Sequence, residues 1–466
     1  MGEIWRRSAV ELAAAIATGE LSSVEVVQAH LDRIEAVNPA VNAITRVLAD
    51  DALQAAKEAD RAVAAGESLG ALHGVPFTIK ENIDVAGTAT TQGVPALADM
   101  VATIDAPVVE RLRSAGAIPM ARTNLPDLGL RVHTVSGLHG VTRNPFDGTK
   151  TAGGSSGGEA AALATGMSPL GLGNDIGGSL RNPAYCCGIA SIKPTSHRIP
   201  SAGSTDLQQP VLASQLMAVD GTMARRVADV RAAFKVVAGA HARDPFCVPA
   251  PFEGPVLAAP IRVALVPEPP GGSTASAISA SVRAAGDALA DAGYDVVEVT
   301  PPLVEEAIST WARWLISEIA QLKPQLRAVM SEDAIRFLDY AEDAVGTVEY
   351  AESVQLMMKR HEIADAWSAF FVEHPLIVGP VWTAPPFAAD WDVESAENAV
   401  ATLELIRFVT PMNLLGLPAA CVPTGIADGL PTGVQVVGRW FREDVCFDAA
   451  EAIESRLGSI TPIDPR

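Results

Sequence analysis

Apolar residues recur at helical spacing over residues 10–17 and again over 24–37, which predicts two N-terminal helices. Gly19 suits the end of the first, Ser22 and Ser23 suit the start of the second, and Asn38-Pro39 should stop it. A third helix is predicted over 50–65, stopped by Gly66. The period then changes. Residues 72–80 alternate like a strand, with Phe77 and Ile79 on one face and Lys80 on the other. Asp105 as N-cap and Pro107 in the first turn open another helix, which Gly116 closes. Residues 118–121 read as a buried strand, and an irregular stretch runs from 123 to 140. Residues 159–167 form a short alanine-rich helix, 169–173 a short apolar strand, and 227–238 a further helix. After a proline-rich connector over 241–260, residues 261–266, 278–292 and 295–299 read as strand, helix, strand. That is one βαβ unit on a mostly parallel sheet. Helices over 305–322, 332–345 and 348–372 follow, carrying Trp311, Trp314 and Trp367 at a spacing that suits core packing. A buried strand at 376–380 and a helix at 444–456 end the pattern, and no repeat or low-complexity linker divides it.

Composition narrows the function. The 466 residues are 48% hydrophobic but only 5% aromatic, so the core is large and built from small side chains. A formal net charge of −21 argues against nucleic acid as a partner, since phosphates would be repelled. The five cysteines are an odd number, lack C-x-x-C spacing and include the adjacent pair Cys186 and Cys187. Reduced thiols in the cytoplasm are the expectation. The histidines are scattered without H-E-x-x-H, so no metal site is expected. Arg6-Arg7 followed by apolar residues imitates an export signal, but Glu11 breaks the run and the helical pattern continues. No segment is long and apolar enough to span a bilayer, so no membrane partner is expected.

The candidate chemistry lies in two glycine-serine clusters, Gly153-Gly154-Ser155-Ser156-Gly157-Gly158 and Asp175-Ile176-Gly177-Gly178-Ser179. One such cluster alone reads as a turn. Two of them around a helix and a strand point further, because ordered glycine runs persist where backbone must come close to something. N–H groups ahead of Ser179 can face one concavity and hold developing negative charge, with Ser179 placed to attack a carbonyl. Two other motifs fit less well. Gly154 to Gly158 matches G-x-S-x-G with Ser156 as nucleophile, but a strand must precede it and NPFDGTKTAG is turn-like. Gly171-x-Gly173 begins a dinucleotide fingerprint whose third glycine, Gly177, comes one residue late. Lys80, at the end of an apolar strand, either snorkels to the surface or is desolvated until it can act as a base.

Residues 142–195 resemble the amidase signature family almost residue for residue, through TRNPFD, GGSSGGEAAA, DIGGSLRNPA and CGIASIKPT, together with GVPFTIKENIDVAG around Lys80. Further matches at 220–225 and 413–435 extend the resemblance over essentially the whole chain. It implies a single α/β domain over 1–466: a large twisted mixed sheet covered by helices on both sides. Within it, 1–70 would be N-terminal helices, 71–240 the signature core and 300–375 a helix-rich insert capping the substrate pocket. It implies a Ser–cis-Ser–Lys triad, with Ser179 as nucleophile, Ser155 as the cis-serine beside a cis peptide bond, and Lys80 as the base. The backbone of Ile176, Gly177, Gly178 and Ser179 would form the oxyanion hole, and Asp175 and Arg181 would be scaffold. The loop DLGLRVHTVSGLHG makes Leu128, Leu130, Arg131, Val132 and His133 candidates for substrate binding. Arg131 is the exception in an apolar set, since it could bind a carboxylate.

The implied reaction is hydrolysis of a linear carboxylic amide through an acyl-enzyme, with no cofactor and a small, largely apolar or aromatic amide as substrate. Alternatives are the glutaminase component of a tRNA-dependent amidotransferase, a urea-type (allophanate-like) hydrolase, and a non-catalytic binding protein that kept the fold. Ser136 to His139 and Ser196-His197 depart from the family pattern, the latter where tyrosine-glycine is usual. A homodimer is the default expectation for assembly.

Overall fold

The alternation read at Lys80 is the one the sheet uses. In strand Pro76–Lys80, Phe77 and Ile79 enter one apolar layer, while Thr78 and Lys80 face the opposite side, toward Glu159 and Ser155. The computed structural model, which describes residues 3–205 and 210–466, puts this strand third in an eleven-stranded mixed sheet. From edge to edge the order is Ile44–Val47, Ile118–Thr123, Pro76–Lys80, Leu170–Asp175, Val219–Ala224, Ala190–Lys193, Ala419–Ala427, Leu430–Gly438, Leu376–Pro380, Arg262–Leu265 and Asp295–Glu298.

The sheet is mixed rather than mostly parallel. Pro76–Lys80 runs parallel to both neighbours, and Arg262–Leu265 runs parallel to Asp295–Glu298 and Leu376–Pro380. The centre is antiparallel, partly because Ala419–Ala427 and Leu430–Gly438 form a hairpin. Its two-residue turn is Asp428-Gly429, both at positive φ, the geometry that matches strand twist. Helices cover both faces. One apolar layer includes Leu112, Phe234, Leu289 and Ile453; the other includes Ile34, Leu163, Trp314 and Trp367. The three tryptophans of the insert are thus core residues, on helices Val304–Leu326 and Tyr350–Glu373, with Glu332–Val345 between them.

Local signals set the first two helix starts. Ser8 and Glu11 form a capping box for Ala9–Ala17, and Ser22 and Glu25 form one for Ser23–Val41. The second helix runs past the expected stop, through Pro39. That proline lies in the last turn, where it forfeits one intrahelical bond, to the carbonyl four residues back, and Asn42 in the left-handed conformation ends the helix. Asp105 does not cap Pro107–Ser114; its carboxylate accepts from the Ala86 N–H and pairs with Arg113.

All five cysteines are free thiols. Among the described residues, no helix is long and apolar enough to cross a membrane, and no group of His, Cys, Asp or Glu could hold a metal ion.

Candidate active site

Strands Pro76–Lys80 and Leu170–Asp175 are parallel neighbours, so their carboxyl ends finish side by side. Open α/β sheets present ligands at such ends. Lys80 and Asn174 lie there, and the Lys80 ammonium nitrogen donates to Asn174 Oδ1 at 2.6 Å and to Ser155 Oγ at 2.7 Å. Lys80 is fully buried. Burial pushes its pKa down to about 7, against the opposing pull of Asp175, Asp220 and Glu159.

Ser155 precedes helix Gly157–Ala164, and the Gly154–Ser155 peptide bond is cis, as expected from the sequence. Gly154 is needed for close approach: a Cβ there would lie 2.6 Å from the Val132 carbonyl carbon. The loop holding the candidate pocket residues therefore packs directly on the serine cluster. Ser156 is fully buried, and its hydroxyl is directed at the Asn174 carbonyl, 3.4 Å away. It does not reach the cavity, which removes the G-x-S-x-G reading.

The second cluster forms a turn between Leu170–Asp175 and helix Arg181–Cys187. Asp175 and Arg181 are its buried frame. The Asp175 carboxylate accepts from the Gly178 N–H at 2.7 Å, the Leu180 N–H at 3.2 Å and two Arg181 nitrogens at 3.0 and 3.1 Å. Burial alone would raise the Asp175 pKa; Arg181 outweighs it and holds the group at about 2. Gly178 has φ +97, and a Cβ there would lie 2.4 Å from Asn182 Oδ1, so only glycine fits. Its N–H is spent on Asp175, unlike the expectation that it faces an oxyanion. The N–H groups of Ile176, Gly177 and Ser179 have no such partner among the described residues.

Ser155, Ser179 and Ile176 line one cavity of about 640 Å³. Of the loop candidates, Leu128 and Leu130 line it as well, with Gly129 between them. Arg131, Val132 and His133 do not. The Arg131 guanidinium grips Asp392 with two bonds of 2.6 Å and reaches Asp390 at 3.2 Å. Val132 is buried against the serine cluster, and His133 Nδ1 meets Thr151 Oγ1 at 2.9 Å. The cavity lining also includes residues with no signal in the sequence, among them Ile199, Pro210, Val219 and Phe246. His197 lines it too, at φ +64. A glycine, usual at this position, takes that conformation freely, so the departure noted in the sequence puts an imidazole at the cavity wall. Asn82 and Asn174 were also missed; both lie within or beside matched motifs, but uncharged amides gave no separate signal.

Comparison with known proteins gives the family. The Amidase family profile matches residues 25–447. An indoleacetamide hydrolase of Bradyrhizobium diazoefficiens is 43% identical over 460 residues, covering 98% of this chain and 88% of that protein. A glutamyl-tRNA(Gln) amidotransferase chain of Salinispora tropica is 33% identical, covering 99% of each. Among solved structures, 6-aminohexanoate cyclic dimer hydrolase in complex with substrate superposes with a TM-score of 0.83 at 27% identity over 98% of each chain. With the signature clusters folded into one cavity and the similarity running nearly end to end, the chain belongs to the amidase family and is an amide hydrolase of the amidase-signature type.

Proposed function

We propose that this protein hydrolyses a small, uncharged, largely apolar or aromatic carboxylic amide through an acyl-enzyme on Ser179. The observation that carries the reading is Lys80: withdrawn from water, shifted toward its neutral form, and bonded to Ser155 in the cavity that Ser179 also lines. Neutral Lys80 takes a proton from Ser155, Ser155 takes one from Ser179, and Ser179 Oγ attacks the amide carbonyl. The free N–H groups of Ile176, Gly177 and Ser179 hold the oxyanion; losing one such donor typically costs about 3–4 kcal/mol. The proton returns through Ser155 to the leaving nitrogen, the C–N bond breaks, and water hydrolyses the ester. Apolar lining from Leu128, Leu130, Ile199 and Phe246 supports the substrate class, as does the 43%-identical indoleacetamide hydrolase. The free cysteines support a reducing cytoplasm.

The similarity to the glutamyl-tRNA(Gln) amidotransferase favours a glutaminase as the second reading. Against it, Arg131, the loop cation best suited to a glutamine carboxylate, is held by Asp392.

Wild-type protein alone should release ammonia from indoleacetamide. Ser179→Ala should abolish this with the fold intact by circular dichroism, while Ser156→Ala should keep it. Near-wild-type turnover by folded Ser179→Ala would exclude Ser179 as the nucleophile.

A further inference from the structure

The proposed relay asks two opposing things of Lys80. It has to be neutral to take the Ser155 proton, and the ammonium that results has to be tolerated where burial works against charge. The charged groups around it contribute differently. Asp175 is committed to Arg181 and to the turn backbone. Glu159, on helix Gly157–Ala164, accepts from Thr78 and Thr123 and is pushed up to about 8 by burial, so it holds a proton at neutral pH. Arg122, on the neighbouring strand, spends its guanidinium on backbone carbonyls that include those of Lys80 and Ile83.

Asp220 comes from another element. In the antiparallel pair of strands Leu170–Asp175 and Val219–Ala224, it stands directly opposite Asn174. Residues paired in this way send their side chains to one face, with Cβ atoms about 5 Å apart. Asn174 Oδ1 is the atom that takes the Lys80 ammonium at 2.6 Å. Asn174 and Asp220 line one cavity with Ser155 and Ser179. Asp220 is therefore one cross-strand neighbour away from the ammonium, and its charge is among those that oppose the effect of burial on Lys80.

We propose that Asp220 is a positioning residue for the base, whose carboxylate stabilises the ammonium that Lys80 becomes when the Ser155 proton arrives. The inference rests on the mechanism proposed above. The proton passes from Ser155 Oγ to Lys80 Nζ and later returns; Asp220 neither gives nor takes one, and acts through its field. Without that field Lys80 is a weaker base. More of the enzyme then holds a neutral lysine at low pH, and each such molecule takes the Ser155 proton less readily.

The test is the pH profile of kcat/KM for indoleacetamide in wild type, Asp220→Asn and Asp220→Ala, with a thermal melt of each. Both variants should move the midpoint of the acid limb down by about half a pH unit or more and lower the plateau about threefold or more. A merely structural role would lower the melting temperature and the plateau but leave the midpoint in place, and that result would overturn the proposal. So would an upward shift, or loss of the fold in both variants. Failure of the mechanism itself shows elsewhere, as an acid limb that persists in Lys80→Ala or as turnover that persists in Ser179→Ala.

Discussion

At the scale of single residues, the site depends on a lysine kept out of water. Lys80 has a folded pKa near 7 instead of its ordinary value near 10.5, so folding favours its neutral form. As pH falls from 10.5 toward 7, this group makes the folded state progressively less favourable, and below 7 the full penalty applies. In the proposed mechanism, the same protonation removes the base. We therefore expect kcat/KM to fall on the acid side with a midpoint near pH 7, and Lys80→Ala to lose that limb in whatever activity remains. Glu159, pushed up to about 8 by burial, and Lys193, pushed down to about 7 by burial, also titrate nearby. Lys193 is tied to the Pro194 and Leu417 carbonyls, away from the cavity. A limb that survives in Lys80→Ala but disappears in Glu159→Gln would give the role to the carboxyl. That Lys80 would meet Ser155, and Ser155 share a cavity with Ser179, was legible because each sits in a contiguous motif. Arg131 and His133 were not, because their orientation depends on partners elsewhere in the chain: Asp392 lies 261 residues beyond Arg131. Sequence showed a cation in a pocket loop but not the carboxylate that turns it away.

At the scale of elements, the glycine turn is braced from outside by helix Val304–Leu326. Trp311 Nε1 donates to the Ile176 carbonyl at 3.0 Å, and a Cβ on Gly177 would lie 2.6 Å from the Trp311 ring. The insert was expected to cap the pocket. Among the described residues the cavity lining is drawn from other segments, and the insert's contact with the turn is through Trp311. Its helices were legible from their period, but period gives the face a helix buries and not the element it is buried against. The helix of residues 23–41 teaches the same limit: a proline within a turn of the end does not stop a helix whose cap lies beyond it. We expect Trp311→Phe, which keeps a ring and loses the donor, to cost about 0.5–1.5 kcal/mol of stability. It should lower kcat several-fold with KM changed less than twofold, since a loosened turn weakens oxyanion binding more than ground-state binding. Thermal melts and steady-state kinetics check both. A raised KM at unchanged kcat would mean that Trp311 touches substrate.

At the scale of the whole molecule, charge decides between the substrate classes. The chain carries a formal net charge of −21, and among the described residues the charged ones lining the cavity are Asp175, Asp220, Arg243 and Asp244. The one arginine among them donates to Glu110 and to the Asp105 carbonyl. Lys80 is shifted toward neutrality, and Arg131 is paired with Asp392 outside the cavity. Arg243 Nη1 has no partner among the described residues, but Glu110 already balances that charge, so a glutamine or malonamate carboxylate would enter without a dedicated cation, and burying it unpaired is costly. A neutral aryl or arylacetic amide carries no such penalty and gains from the leucines and Phe246. Measured on the same purified protein, indoleacetamide should exceed glutamine in kcat/KM by at least tenfold, a difference of about 1.4 kcal/mol in transition-state stabilisation. The reverse ratio would mean that a cation is recruited on binding. Arg243, already at the cavity wall, would then be the first residue to replace, with Arg243→Met expected to abolish the preference for the charged substrate while sparing the neutral one.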